Sequence, residues 1–283
     1  DMSGKKVRWG ILSTANIGMA KVTPGIQKSA HSEVVAIASR DSGKARAAAD
    51  RLGIAKAYGS YEELFADPEI DAIYNCLPNH LHVPMTVAAA KAGKHVLCEK
   101  PIALNAADDP NNVRNKADIG GGGIMDIGCY PITAARYLFE AEPTRVVSLI
   151  ERDANFGTDR LASVMADFGG GRQLNFTCST QTVPHQRVQV FGSKGKLEII
   201  IPFNAPADTP TAITIDSAAA LDGSLARREI LPAVDQYTAQ AEAFALAVLG
   251  EKPLAWGIED AIASMKVIDA IFASEKSGGW ANV

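Results

Sequence analysis

Long apolar runs, a disulfide pattern and an excess of positive charge are all missing from this 283-residue sequence. No stretch approaches the roughly 18–20 apolar residues that cross a bilayer, so no membrane partner is expected. Asp1-Met2-Ser3-Gly4-Lys5-Lys6 runs straight into a strand-like segment with no apolar leader, which predicts a cytoplasmic location. There are four cysteines, Cys76, Cys98, Cys129 and Cys178, with no C-x-x-C pair. All sit in apolar or strand-like surroundings and read as buried free thiols of a reducing compartment. Lys and Arg total 28 against 32 Asp and Glu, a net charge of −4. That balance argues against a nucleic-acid partner held by phosphate neutralisation. The charge is uneven, +3 over residues 1–107 and −7 over 108–283, and a mildly basic first part suits an anionic cofactor. A composition of 47% hydrophobic and 21% charged residues excludes a disordered or collagen-like chain. At about 100–200 residues per domain, the length predicts two domains.

The first hundred residues alternate short apolar runs with helical stretches. Val7–Leu12, Val34–Ala38, Ala72–Leu77 and His95–Cys98 read as buried strands. Between them lie helical signals over Asn16–Lys28, Ser42 to Gly53, Tyr61–Phe65 and Pro84–Ala92, the last stopped at Gly93. Continuous apolar strands separated by helices mean parallel βαβ units and a doubly wound α/β domain over residues 1–107. Residues 108–283 read as an α+β domain with a largely antiparallel open sheet. Its strand-like stretches are Arg145–Ile150, Leu161–Phe168, Gln173–Thr180, Arg187–Phe191 and Lys196–Ile201, with helices at Gln236–Leu249 and Ile258–Ser274. At Asn105-Ala106-Ala107-Asp108 a helix starts and is stopped at once by Asp109-Pro110, just where the parallel sheet needs a crossover.

Four segments follow strand ends, where open parallel sheets bind ligands. In the turn after the first strand, Gly10 and Gly18 flank Ser13-Thr14-Ala15-Asn16-Ile17, with Ser13 and Ala15 where glycines are commonest. Small residues there still let backbone amides reach a phosphate at a helix N-terminus. The second strand ends in Ser39-Arg40-Asp41, with Lys44 one turn on. Arg at this place accommodates a 2′-phosphate, which favours NADP, while Asp41 leaves NAD open. Leu77-Pro78-Asn79-His80-Leu81-His82 follows the third strong strand, and Glu99-Lys100-Pro101 the next. No acidic or thiol ligand stands at useful spacing beside the two histidines, so no metal is expected. In Gly120-Gly121-Gly122-Gly123-Ile124-Met125-Asp126-Ile127-Gly128-Cys129-Tyr130, four glycines permit close approach of backbone to a ligand. Asp126 and Tyr130 then share one helical face, with Pro131 a threat to that geometry.

These segments, in this order from residue 5 to 137, resemble the Gfo/Idh/MocA oxidoreductases. The resemblance implies an N-terminal Rossmann domain, a C-terminal α+β domain and NADP or NAD as cofactor. It assigns the cofactor to Gly10, Ser13, Thr14, Ala15, Asn16, Ile17, Ser39, Arg40, Lys44, Leu77, Pro78, Asn79, His82, Glu99 and Lys100. Many relatives have His where this chain has Tyr130. The Tyr form is similar to the sugar dehydrogenases and dihydrodiol dehydrogenases of the family. It also implies a few dozen further residues between Ala107 and Asp108.

Oxidising a hydroxyl needs hydride loss from carbon and proton loss from oxygen. A phenol of ordinary pKa, about 10, is roughly 0.1% ionised at pH 7, too little for an effective base. A neighbouring ammonium favours the phenolate. The expected catalytic set is therefore Tyr130 as general base, Lys100 lowering its pKa and binding substrate oxygen, and Asp126 orienting Lys100 or substrate. The expected substrate is a sugar, an aldopyranose such as D-xylose or D-glucose, or a related polyol. The alternatives are a trans-dihydrodiol, or a non-catalytic NADP-binding regulator on the same fold. The period-two stretch Gln173–Ser179 predicts a sheet with a polar face, which relatives pair into homodimers or homotetramers; a solvated face is the equal alternative.

Overall fold

The computed structural model describes residues 4–100, 121–217 and 222–283. Asn105–Asp108, the Ala107/Asp108 join and Gly120 lie outside the described residues. Along β1 (Val7–Leu12), Val7, Trp9 and Ile11 alternate with Gly10 and Leu12, and both sets are buried. A strand buried on both faces needs helices on both. β1 is the middle of a parallel sheet with β2 (Ser32–Ala38), β3 (Lys56–Tyr58), β4 (Ala72–Asn75) and β5 (His95–Cys98), in the order β3-β2-β1-β4-β5. A π-helical turn (Gly18–Val22) leading into α1 (Thr23–Lys28), together with α2 (Ser42–Leu52), covers the face that carries Trp9, Ile11 and Tyr74. On the other face α3 (Tyr61–Ala66) and α4 (Asn79–Lys91) cover Leu12, Ile73 and Leu77.

Two local readings change. Helix α4 begins at Asn79, not near Pro84, because its first turn forms ahead of the proline, which then removes one amide from the ladder without stopping it. Helix α2 starts at Ser42 as expected, with Asp41 as its N-cap, whose carboxylate accepts from the Lys44 amide at 3.0 Å. Cys98 is exposed rather than buried, because it sits on the strand that closes the sheet among the described residues.

The second half starts with a π-helical turn (Ile124–Gly128) that runs into α5 (Cys129–Phe139). The antiparallel sheet expected here is two four-stranded sheets. One contains β6 (Arg145–Arg152), β7 (Asp159–Asp167) and β8 (Gln173–Ser179); the other runs through β9 (Arg187–Gly192), β10 (Gly195–Ile200), β11 (Thr211–Asp216) and β12 (Arg227–Leu231). No ladder joins β8 to β9 among the described residues, and Pro184 lies in the segment between them. Helix α6 (Gln236–Val248) packs back on the nucleotide-type domain, where Phe244 meets Trp9 at 5.1 Å. Helix α7 (Ile258–Ser277) places Val267 and Ile271 on Val146 and Val164 of the first antiparallel sheet, and β13 (Ala281–Asn282) pairs with β6. The opposite face of this sheet carries Asn175 and Thr177 beside exposed Leu149 and Met165. No described helix is long and apolar enough to cross a membrane.

Candidate active site

Parallel strands all point their carboxyl ends to one edge, so the segments that follow β1, β2, β4 and β5 meet there. Ser13, Thr14, Ala15, Asn16 and Ile17 follow β1. Ser39, Arg40 and Lys44 follow β2; Leu77, Pro78, Asn79 and His82 follow β4; Glu99 and Lys100 follow β5. Gly10 does not join them. It lies inside β1, and a Cβ there would come within 3.1 Å of Leu64, Ile70 and Ile73 side chains, so its smallness serves packing beneath α3. Gly18 serves the helix–sheet approach, since a Cβ would stand 2.9 Å from Cys76 Sγ.

The turn after β1 fits a dinucleotide. Ser13 takes φ +81, a backbone region that favours glycine, and its amide donates to Ala38 O at 2.9 Å. The amides after it lie at the start of a helix, where a phosphate can be received, and that of Ala15 also donates to the Cys76 sulfur. Ser13→Gly should therefore relieve strain and stabilise the fold by about 1 kcal/mol; thermal melting checks this, and a lower Tm would contradict it. At the end of β2, Ser39 is buried while Arg40 and Lys44 are exposed. Asp41 is turned back into its cap, which leaves Arg40 the outward charge. After β4, Asn75 Nδ2 donates to His82 O at 3.1 Å and fixes the turn. The buried His82 Nε2 finds no hydrogen-bond partner among the described residues, and burial lowers the imidazole pKa, against a backbone hydrogen bond to Leu77 that raises it.

Lys100, Asp126 and Tyr130 converge beside this edge. Lys100 Nζ donates to Asp126 O at 3.1 Å, lies 3.5 Å from Asp126 Oδ1 and stands 4.4 Å from the Tyr130 ring centroid. The π-helical turn, with its wider i→i+5 spacing, carries Asp126. The helix changes to α at Cys129 without a break, so Pro131 lies inside a continuous helical stretch and removes one amide from its ladder without stopping it. Burial pulls the Lys100 pKa down, but the adjoining Tyr130 and Asp126 outweigh it and hold the side chain as ammonium. Burial pushes the Tyr130 phenol up; Lys100, by charge and hydrogen bonding, opposes this without cancelling it. The net direction is upward, with Lys100 moderating the rise. Burial likewise drives the Cys129 thiol up to about 11, which keeps it a thiol beside the phenol. Beneath Lys100, the Tyr74 hydroxyl donates to Glu99 Oε1 at 2.7 Å and anchors the segment.

The glycine run works differently from the expected approach to a ligand. Gly122 takes φ +116, and a Cβ there would lie 1.8 Å from Asp159 Oδ1. Asp159, buried at the start of β7, accepts from the Ile124 amide with Oδ2 at 2.6 Å. The glycine thus admits a carboxylate that caps the turn carrying Asp126. Sequence reasoning missed Asp159, Tyr74 and also Phe203, whose ring stacks on Tyr130 at 4.9 Å and 21°. Only Tyr74 left a signal, a lone hydroxyl in an apolar strand that needs a partner.

A Rossmann domain with a lysine and a tyrosine facing its ligand-binding edge defines an NAD(P)-dependent oxidoreductase. The chain belongs to the Gfo/Idh/MocA oxidoreductases: the family's NAD-binding Rossmann fold matches residues 7–116 and its C-terminal domain residues 87–198. An uncharacterised oxidoreductase of Rhizobium meliloti is 39% identical over 98% of this chain and 99% of its own length. That alignment runs to 331 positions, more than the 283 residues of this chain, so the relative carries residues with no counterpart here. The NADP-dependent D-xylose 1-dehydrogenase 2 of Haloferax volcanii is 34% identical over 95% of this chain and 98% of its own. A 3-ketoreductase from Actinomadura kijaniata, crystallised with NADP and TDP-benzene, has a TM-score of 0.85 at 25% identity, over 95% of this chain and 98% of that one.

Proposed function

We propose that this oxidoreductase prefers NADP and moves a hydride between the cofactor and a CH–OH carbon of a sugar, an aldopyranose such as D-xylose or D-glucose, or a related polyol. The convergence of Lys100, Asp126 and Tyr130 at the carboxyl edge of the sheet carries the reading. The bound nicotinamide supplies a hydride acceptor or donor. This chain's residues do the rest. The Tyr130 phenolate takes the hydroxyl proton during oxidation, and the phenol returns it during reduction. Lys100 holds the substrate oxygen and stabilises the phenolate, and Asp126 keeps Lys100 in place. Ser13–Ile17 would hold the pyrophosphate, and Ser39, Arg40 and Lys44 the 2′-phosphate. Pro78, Asn79 and His82 would border the nicotinamide ribose. A regulator on this fold needs no ammonium and phenol together, so their contact speaks for catalysis.

The Haloferax dehydrogenase supports the sugar reading. A trans-dihydrodiol is the second reading. It is favoured by the aromatic Phe203 at the phenol and by a mouse trans-1,2-dihydrobenzene-1,2-diol dehydrogenase, 29% identical over 68% of this chain. Initial rates with NADP and with NAD against D-xylose, D-glucose and a dihydrodiol separate the two. No hydride transfer from any of them or from a polyol panel, despite tight NADP binding, would favour the regulator. Arg40→Ala should raise the KM for NADP about 10- to 100-fold, the worth of a charge-assisted hydrogen bond, and leave that for NAD nearly unchanged. Equal effects on both cofactors would contradict the 2′-phosphate role.

Three further proposals complete the reading. The residues that the Rhizobium relative has in excess belong between Ala107 and Asp108, where a crossover is wanted; the mass of the protein from its native source tests this. The β6–β8 face, with Leu149 and Met165 among polar neighbours, pairs with a second copy into a homodimer or homotetramer, which light scattering tests. Four free cysteines suit a cytoplasmic location.

A further inference from the structure

Phe203 comes from neither the nucleotide-type domain nor the helix of Tyr130. It follows β10, an interior strand of the second antiparallel sheet, in Ile200-Ile201-Pro202-Phe203-Asn204, yet its ring lies on the Tyr130 ring. The turn that delivers it has an unusual backbone. Ile201 takes φ +53, an outlier for a β-branched side chain. Its side chain is 42% exposed, so burial of that side chain does not account for the conformation. Its amide does reach back to Gln186 O at 3.4 Å, and Pro202 fixes the next φ. A strained residue persists where its surroundings over-determine it, and such residues cluster at functional sites. Here the strained turn ends β10 and sets Phe203 against the phenol.

We propose that Phe203 is a positioning residue for proton transfer: its ring fixes the plane of Tyr130 and keeps water from one side of the phenol. The inference rests on the reading of Tyr130 as the proton-transfer group. The charged and titratable groups around that phenol are Lys100 from the β5 end, Asp126 from the π-helical turn and its neighbour Cys129, none of which a change at Phe203 removes. A small misplacement of a reacting group costs up to about a hundredfold in rate. Water reaching the phenol also relieves part of the burial that pushes its pKa up.

Three variants test it, with NADP and the fastest substrate of the panel above. Phe203→Ala should lower kcat by about 10- to 100-fold, leave the KM for NADP within about twofold and move the rising limb of the pH–rate profile to lower pH. Phe203→Tyr keeps the stacked ring and should restore both rate and profile. Phe203→Leu fills volume without a ring, and serves if the alanine variant does not fold; it should behave as Ala. Wild-type rate and profile in Phe203→Ala or Phe203→Leu, with Tyr130→Phe inactive, would overturn this inference alone. A Tyr130→Phe enzyme that keeps its rate would overturn the reading beneath it.

Discussion

Tyr130→Phe is expected to fold, bind NADP as the parent does and lose about 10²- to 10⁴-fold in kcat, the range for removing a positioned acid or base. The change deletes one oxygen and leaves the ring to stack on Phe203 and face Lys100. What it removes is the phenol's proton and its hydrogen bond with Lys100. The pH dependence carries the sign. Burial holds the phenol above its ordinary value, and Lys100 only moderates this. Near neutral pH the ionised fraction is small and grows about tenfold per unit, so oxidation should speed up through the alkaline range and level off only above the phenol's pKa. Reduction uses the protonated phenol, so it should be level at neutral pH and fall where oxidation levels off. Steady-state rates in both directions check this. A bell centred near pH 6.5 would instead point to a histidine.

Gly122→Ala is expected to cost about 3 kcal/mol or more. The added Cβ would sit 1.8 Å from Asp159 Oδ1, and φ +116 is a conformation that alanine rarely adopts. The chain must then give up either the glycine's backbone or the Asp159 cap on Ile124. Loss of a buried partner alone costs about 1–3 kcal/mol. For a chain of this size the Tm should fall by roughly 6–12 °C, and activity should fall with it, because the same turn carries Asp126. Asp159→Asn keeps an acceptor for the Ile124 amide and should be milder. An alanine variant that melts like the parent would show that the glycine serves something other than this packing.

The parallel sheet was legible because its strands are buried on both faces and so read as continuous apolar runs, with Val7–Leu12 the clearest. The cofactor edge was legible for the same reason, since segments that follow parallel strands must share one edge. The alternation of Gln173–Ser179 likewise revealed a one-sided sheet. β12 was not legible, because Arg227-Arg228-Glu229-Ile230-Leu231 is mostly exposed and has no apolar face to announce it. Within the site, Lys100 and Tyr130 were found by motif. Asp159 and Phe203 were not, because each acts on the site through a contact made only in the fold, 35 and 73 residues away in sequence. The glycine run was seen, but its partner was not, so its purpose was read as ligand approach.

In the proposed reaction the Tyr130 oxygen carries the proton beside the Lys100 ammonium. The most direct test of this is the pH dependence of single-turnover hydride transfer, with saturating NADP and the best substrate, in the parent and in Tyr130→Phe. The rate should climb with pH in the parent and be slow, without that climb, in the variant. Equal rates and the same climb in both, with folding and NADP binding intact, would contradict it.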